Sequence, residues 1–324
     1  MRLLLVVNTS ASSVTARARV VIHKALSADH DVVMKETNRR GHAARLAQGA
    51  AADGIDIVVV LGGDGTMNEA ANGLAGSGTA LAVLPGGSTN VFARTIGMAN
   101  DPIEATSQLL SALAAGSVER VGLGQANSRY FLFHAGIGFD AAVVAAVEKL
   151  ASLKRYAGPA LFLGAALLTW ANGYERRYPA FSVASDAGPE IDDGYFAVCL
   201  NTDPYTYFGN RPLKLVPGTS LGTPLSLVVL RKLTLRALLP VAVAALGEGL
   251  AHTGRRHTSV LSRVGEATVK GHRPVPYQVD GDYVAESDQI ELRWAPDVLS
   301  LVLPVGMDGA AGAHGDLTGP GTPP

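Results

Sequence analysis

The segment Val58-Val59-Val60-Leu61-Gly62-Gly63-Asp64-Gly65-Thr66-Met67-Asn68-Glu69 constrains the fold more than any other stretch of the chain. Its apolar, β-branched opening reads as a strand buried on both faces. The strand runs into glycines at 62, 63 and 65, and a helix follows from Thr66 to about Leu74. Thr66 and Glu69 have the spacing of a capping box. Strand, glycine loop and helix in immediate succession imply an α/β layer with a mostly parallel sheet. Glycines let backbone N–H groups approach a ligand, and a helix N-terminus adds partial positive charge. The loop therefore reads as a phosphate site or as a tight, well-capped turn. Asp64 would repel phosphate unless a metal ion bridges them, which points to a metal-bound nucleotide. Neither the P-loop lysine nor a G-x-G-x-x-G pattern is present.

The rest of the first third repeats this alternation. Strands are expected at Arg2–Val7, His30–Met34, Ile55–Leu61 and Ala80–Leu84. Helices are expected from a Ser12 or Ser13 cap to about Ala28, then over Gly41–Ala52, Val91–Ile96 and Asp101–Gly116. Pro85 through Arg94 is a second strand–glycine–helix passage, with Ser88, Thr89 and Asn90 offering caps or phosphate contacts. In a parallel sheet both loops leave the carboxyl ends of strands on one edge, where they floor a cleft.

Beyond about Val121 the texture turns to short strands. Candidates are Tyr130–Phe133, Phe181–Ala184, Tyr195–Leu200, Leu225–Leu230, Ala267–Val269, Tyr277–Val279, Gln289–Trp294 and Leu299–Leu303. Helical stretches over Ala141–Gly173 and Leu233–Leu250 interrupt them. A β-sandwich is the matching architecture. The 324 residues thus divide into an α/β domain over 1–120, a β domain over 121–305 and a disordered tail over 306–324. The last strand of the β domain is free to return to the first domain.

Lys and Arg total 27 against 28 Asp and Glu, a net charge of -1, which disfavours a nucleic-acid partner. The single cysteine, Cys199, excludes a disulfide framework and a cysteine-rich zinc site. The longest nearly uncharged stretch, Tyr156–Gly173, is short of the ~20 apolar residues that span a bilayer. Contact with a membrane surface stays open. Arg231, Lys232, Arg236, Arg255, Arg256 and Arg263 flank an apolar helix and suit an anionic surface or a solvated loop.

Taken together, Gly62–Thr66 with Asn68-Glu69, Pro85–Arg94, Ala135–Ala141 and Asp280-Gly281-Asp282 resemble the diacylglycerol kinase catalytic family, which includes bacterial lipid kinases and sphingosine and ceramide kinases. The ordered set covers about residues 1–305. The resemblance implies a nucleotide domain, a β-sandwich and an active site in the cleft between them. It implies ATP and Mg²⁺ as cofactors and a lipid hydroxyl as acceptor. Nucleotide contacts then fall on Asn8, Thr9, Ser10, Ala11 and Ser12, on Thr37, on Gly62, Gly63, Asp64, Gly65, Thr66, Met67, Asn68 and Glu69, and on Ser88. Asp64 would bind the metal, Asp280 would take the hydroxyl proton, and Asp282 would assist with metal or phosphates. A rival assignment makes Asp64 the base, and Asp280-Gly281 also reads as a hairpin turn.

Three positions depart from the family pattern. The first loop lacks its Pro and Gly, Asp282 stands where Glu is usual, and Thr223-Pro224 occupies the place of an Asp-Gly that holds a structural Mg²⁺ in some members. The expected function is an ATP- and Mg²⁺-dependent lipid kinase, with diacylglycerol converted to phosphatidic acid. The alternatives are an NAD kinase-like enzyme and an inactive lipid- or nucleotide-binding regulator. The expected setting is cytoplasmic, at a membrane surface that presents the lipid, with a sheet-edge homodimer compatible.

Overall fold

The computed structural model describes residues 1–149, 177–250 and 257–306. The first part is the expected α/β layer. Strands β1 (Arg2–Val7), β2 (Asp31–Glu36), β3 (Ile57–Gly62) and β4 (Ala80–Pro85) run parallel in the order β4-β3-β1-β2. β3 and β4 are buried at every position, which is why they read as unbroken apolar runs. Between and after the strands come α1 (Ala16–Leu26), α2 (His42–Ala52), α3 (Asp64–Leu74), α4 (Val91–Thr95) and α5 (Pro102–Ala115).

Two helix starts differ from expectation. Thr15, not Ser12 or Ser13, caps α1, its side chain accepting from Ala18 N. α3 starts two residues early, with Gly63 as N-cap, so Thr66 and Glu69 form no capping box. Glu69 instead reaches the neighbouring helix: its carboxylate accepts from Gly41 N at 2.7 Å and Ala43 N at 3.1 Å. Gly41, in the left-handed region, offers α2 no side-chain cap of its own, so Glu69 supplies one.

The second part is sheet-rich, with antiparallel strand pairs. Its strands are β5 (Val118–Ala126), β6 (Arg129–Phe131), β7 (His134–Gly138), β8 (Phe181–Ser185), β9 (Gly188–Gly194), β10 (Phe196–Leu200), β11 (Thr206–Phe208), β12 (Arg211–Leu213), β13 (Leu225–Leu230), β14 (Thr258–Val264), β15 (Glu266–Val279) and β16 (Asp282–Val302). α6 (Phe139–Lys149) follows β7, and α7 (Leu235–Leu246) follows β13. The helix expected over Ala141–Gly173 is described only to Lys149. The apolar stretch 156–170, Arg255, Arg256 and residues 307–324 lie outside the described residues.

Ala135, Ile137, Ala197, Cys199, Leu227 and Val229 on β7, β10 and β13 meet Phe181, Val183, Val269, Ile290 and Leu292 in one apolar cluster. The alternate residues Val198, Leu200, Val228 and Leu230 form another cluster with Ala244 and Ala245 of α7. β15 and β16 were expected as four short strands and are two long ones, interrupted by register shifts at Lys270/Val275 and Ala295/Leu299. The end of β16 returns to the first part: Ser300 and Leu301 pair in parallel with Ala80 and Leu81 of β4. Leu299, Leu301, Val302 and Leu303 join the core of the parallel layer.

Candidate active site

The loops after β1, β3 and β4 lie on one edge of the parallel sheet and hold one another. Asn8 Nδ2 donates to Thr66 Oγ1 at 2.9 Å. Ser13 N donates to Gly86 O, and Ser13 Oγ to Gly87 O. Gly86 N donates to Gly62 O. A Cβ on Gly86 would sit 2.9 Å from Gly62 Cα, and one on Gly87 would sit 2.9 Å from Gly63 Cα. These glycines therefore serve backbone-on-backbone packing of two loops, a demand that the sequence alone did not separate from ligand approach.

Asp64 stands between the loops. Its Oδ2 accepts from Val91 N at 3.0 Å and its Oδ1 from Phe92 N at 2.9 Å, so it caps α4. Burial pushes its pKa up; the Phe92 and Val91 amides oppose this and the charge of Asp282 adds to it. Met67 turns wholly into the core, and its N–H is spent on Gly63 O. Thr37 N is bound to Val7 O at the end of β2, while Thr9, Ser10, Ser12 and Ser88 are exposed on the loop edge.

Asp280 and Gly281 both have positive φ, at 49° and 79°, and Val279 pairs with Asp282 across them. This is the two-residue hairpin that Asp-Gly favours. The turn also aims the Asp280 carboxylate inward, where it is 4% exposed. Oδ2 accepts from Leu132 N and from Asn68 Nδ2, both at 2.7 Å. Oδ1 accepts from Phe133 N at 3.0 Å and His134 N at 3.1 Å. Burial raises the pKa to about 7 against the pull of these donors. Asn68 on α3 thus joins the glycine-loop helix directly to the turn between β15 and β16.

Asp282 lies against Gly65, whose added Cβ would meet Asp282 Oδ2 at 3.2 Å. Two arginines hold it: Arg40 Nη2 at 3.2 Å from Oδ1 and Arg129 Nη2 at 3.3 Å from Oδ2. Arg129 also donates from Nε and Nη2 to Asn68 Oδ1. A further chain runs behind the turn. Tyr205 Oη donates to Asp140 Oδ1 at 2.7 Å, Gln278 Nε2 donates to Asp140 Oδ2 at 2.6 Å, and Gly281 N donates to Gln278 Oε1 at 2.8 Å. Arg40, Arg129, Tyr205 and Gln278 had no role in the sequence reading, and Asp140 stood there only within the Ala135–Ala141 motif. Gln278 left a signal, a polar residue at an inward position between Tyr277 and Val279; isolated arginines left none.

Among the described residues no three His, Cys, Asp or Glu side chains gather to cage a metal ion. Asp64 and Asp282 supply hard oxygen donors on the glycine-loop side, and each Asp64 oxygen keeps lone-pair capacity beyond its amide bond. One or two carboxylates completed by substrate phosphates is the pattern of nucleotide-borne Mg²⁺, so the donor set fits that ion. Thr223 Oγ1 bonds back to Ser220 O in a local turn.

Parts of the chain are similar to known proteins. Residues 2–126 match the diacylglycerol kinase catalytic domain. That kinase match ends with β5 and includes both glycine loops and Asp64. The chain is 35% identical over 120 residues to the diacylglycerol kinase of Bacillus subtilis, covering 36% of this chain and 39% of that protein. It is 35% identical over 163 residues to a YegS-like protein of Pseudomonas aeruginosa named as a lipid kinase, covering 50% and 51%. These matches thus span about half the length of the curated relatives, or less. A longer match, 26% over 253 residues, joins it to the diacylglycerol kinase of Staphylococcus saprophyticus, covering 76% and 77%. The fold resembles that of a diacylglycerol kinase from Bacillus anthracis, with TM-score 0.69 and 19% identity over 94% of this chain and 98% of that one. An NAD kinase from Archaeoglobus fulgidus in complex with ATP has TM-score 0.50 and 14% identity over 95% of both chains.

Proposed function

We propose that the protein is an ATP- and Mg²⁺-dependent lipid kinase that phosphorylates a lipid hydroxyl, with diacylglycerol the first acceptor to test. The observation that carries this reading is Asp280, a buried carboxylate with pKa near 7, bonded through Asn68 to the helix that leaves the glycine loop. Phosphoryl transfer asks mainly for positioning and charge neutralisation. The loop edge formed by Asn8–Ser12, Gly62–Thr66 and Ser88 takes the nucleotide, with phosphates near the N-terminus of α3. Asp64 and Asp282 face the metal, which when bound offsets charge on the phosphate oxygens.

Asp280 takes the proton of the acceptor hydroxyl. Three of its four donors are backbone amides, so its direction is fixed; Asn68 Nδ2 is the side-chain donor that yields to the substrate hydroxyl. Arg129 binds Asn68 and Asp282 together and sets their spacing. The acceptor is presented at a membrane surface, and the protein works there peripherally; no described helix is long and apolar enough to cross a bilayer.

The test is transfer of label from ATP, with Mg²⁺, to a panel of lipid alcohols in mixed micelles, and to NAD in a parallel tube. Labelled phosphatidic acid supports the reading. Label on NAD, or nucleotide binding with no acceptor phosphorylated, overturns it.

A further inference from the structure

α7 is apolar on both sides. Ala237, Ala244 and Ala245 are buried toward β10 and β13, with Leu238 and Val241 packed beside them. On the opposite side Leu235, Leu239, Val243 and Leu246 are 58%, 66%, 62% and 41% exposed. Their spacing places them in one narrow stripe. A helix that has already buried one apolar face gains nothing in water from a second.

The N-terminal end of this stripe is basic, while exposed Glu248 follows its C-terminal end. Arg231, Lys232 and Arg236 are exposed at the N-terminal end of α7, whose first turn holds no acid. Arg231 is paired with Asp193, at 2.5 Å. Cations there add to the positive end of the helix dipole, which is unfavourable unless an anion is met. The Thr234 side chain makes no cap bond to the free amides of this end. At the other end, Arg211 Nη2 donates to Leu246 O, and Lys214 N donates to Ala245 O, so the β11–β12 hairpin abuts α7. That hairpin carries Phe208, 54% exposed. It also touches α4, the helix that follows the second glycine loop: Arg94 Nη1 donates to Gly209 O, and the Arg94 guanidinium lies 3.7 Å over the Tyr207 ring.

We propose that the outer face of α7, with Lys232 and Arg236, is a docking surface for an anionic lipid bilayer. The exposed leucines and valine enter the acyl boundary, and the cations meet the headgroups. A second copy of the chain seated on the same stripe is the other occupant, and analytical ultracentrifugation separates it from the bilayer. The proposal deepens the lipid-kinase reading by giving the enzyme a face on which to receive its acceptor, through a hairpin continuous with the nucleotide edge.

The experiment is cosedimentation of the full chain with phosphatidylcholine vesicles, with and without phosphatidylglycerol. Alongside it come analytical ultracentrifugation and phosphorylation of a short-chain diacylglycerol in detergent. The wild type should bind the anionic vesicles. Leu239→Glu with Val243→Glu should weaken that binding about tenfold or more, and Lys232→Glu with Arg236→Glu should remove the preference for anionic lipid. Both variants should keep wild-type turnover on the dispersed acceptor. Leu239→Ser with Val243→Ser, which adds no charge, should lower binding as well. Binding unchanged in the variants, no vesicle binding by the wild type, or a wild-type dimer split by the α7 changes would each overturn the proposal. If vesicle binding depends on α7 while no lipid alcohol is phosphorylated, the docking surface stands and the kinase reading falls.

Discussion

Replacing Asp280 by asparagine puts an NH₂ against backbone N–H groups and removes the carboxylate that accepts the proton. Turnover should fall by about 10²–10⁴, the usual worth of a general base, while nucleotide affinity stays near wild type. Parallel loss of both in kinetics and calorimetry would remove Asp280 from the role of base. The wild-type kcat/KM should rise with pH around a midpoint near 7, because the deprotonated carboxylate is the active form. The linked stability effect has the opposite sign. A carboxyl raised from 3.8 to about 7 contributes stability that is complete below 3.8 and is lost as pH climbs to about 7. Urea unfolding across that window should show a shallower slope in Asp280→Asn than in the wild type, since the raised Asp64 and Asp140 still contribute.

Asp140 acts one step away. It is buried, its pKa pushed up by that burial and drawn down by Tyr205 and Gln278. Asp140→Asn should misplace Gln278 and free the Gly281 amide. Turnover should drop about tenfold, and the pH midpoint should move, with KM for nucleotide unchanged. A fall in stability alone, with an unmoved pH profile, would make Asp140 merely structural.

At the scale of elements, the two glycine loops and the helices beneath them behave as one interlocked unit. Gly86→Ala would drive a methyl to 2.7 Å from Val14 Cγ2 and 2.9 Å from Gly62 Cα. The loops must part, with an expected cost of about 1–3 kcal/mol and a raised KM for nucleotide. Glu69→Ala removes the only described side-chain cap of α2 and should cost about 1–2 kcal/mol in thermal unfolding. Sequence spacing assigned Glu69 to its own helix, because a capping box is a local pattern and the partner amides lie 26 and 28 residues away. β1, β3 and β4 were legible for the reverse reason: burial on both faces leaves a continuous apolar word. β15 and β16 were not, since bulges and solvent-facing polar residues cut each into fragments. β5, β7, β9, β11, β12 and β14 left no pattern strong enough to be read.

At the scale of the whole molecule, the site is a meeting of distant segments. Asn68 and Asp280 touch across 212 residues. The resemblance found the members that sit in motifs, Asp64, Asp280 and Asp282, but not Arg40 or Arg129, which belong to none. The parallel layer is likewise not closed by its own sequence. Leu299, Leu301, Val302 and Leu303 complete its core from the far end of β16. A fragment of residues 1–126 loses those four side chains, each worth about 1.5–3 kcal/mol when buried. That is comparable to a typical domain's entire stability. Such a fragment should show little amide protection in hydrogen exchange, whereas one refolded with a peptide spanning 282–305 should regain it.

The return of β16 also orders events at the ribosome. The edge of β4 emerges early, and the residues that cover it, Ser300 and Leu301 against Ala80 and Leu81, are made about 220 residues later. At usual synthesis rates of ~5–20 residues per second, that edge stays open for roughly ten to forty-five seconds. During this interval an apolar, hydrogen-bond-hungry strand is presented to the crowded cell. Newly made chain should therefore need a holding chaperone until its last strand arrives, and slowing translation should aggravate that need.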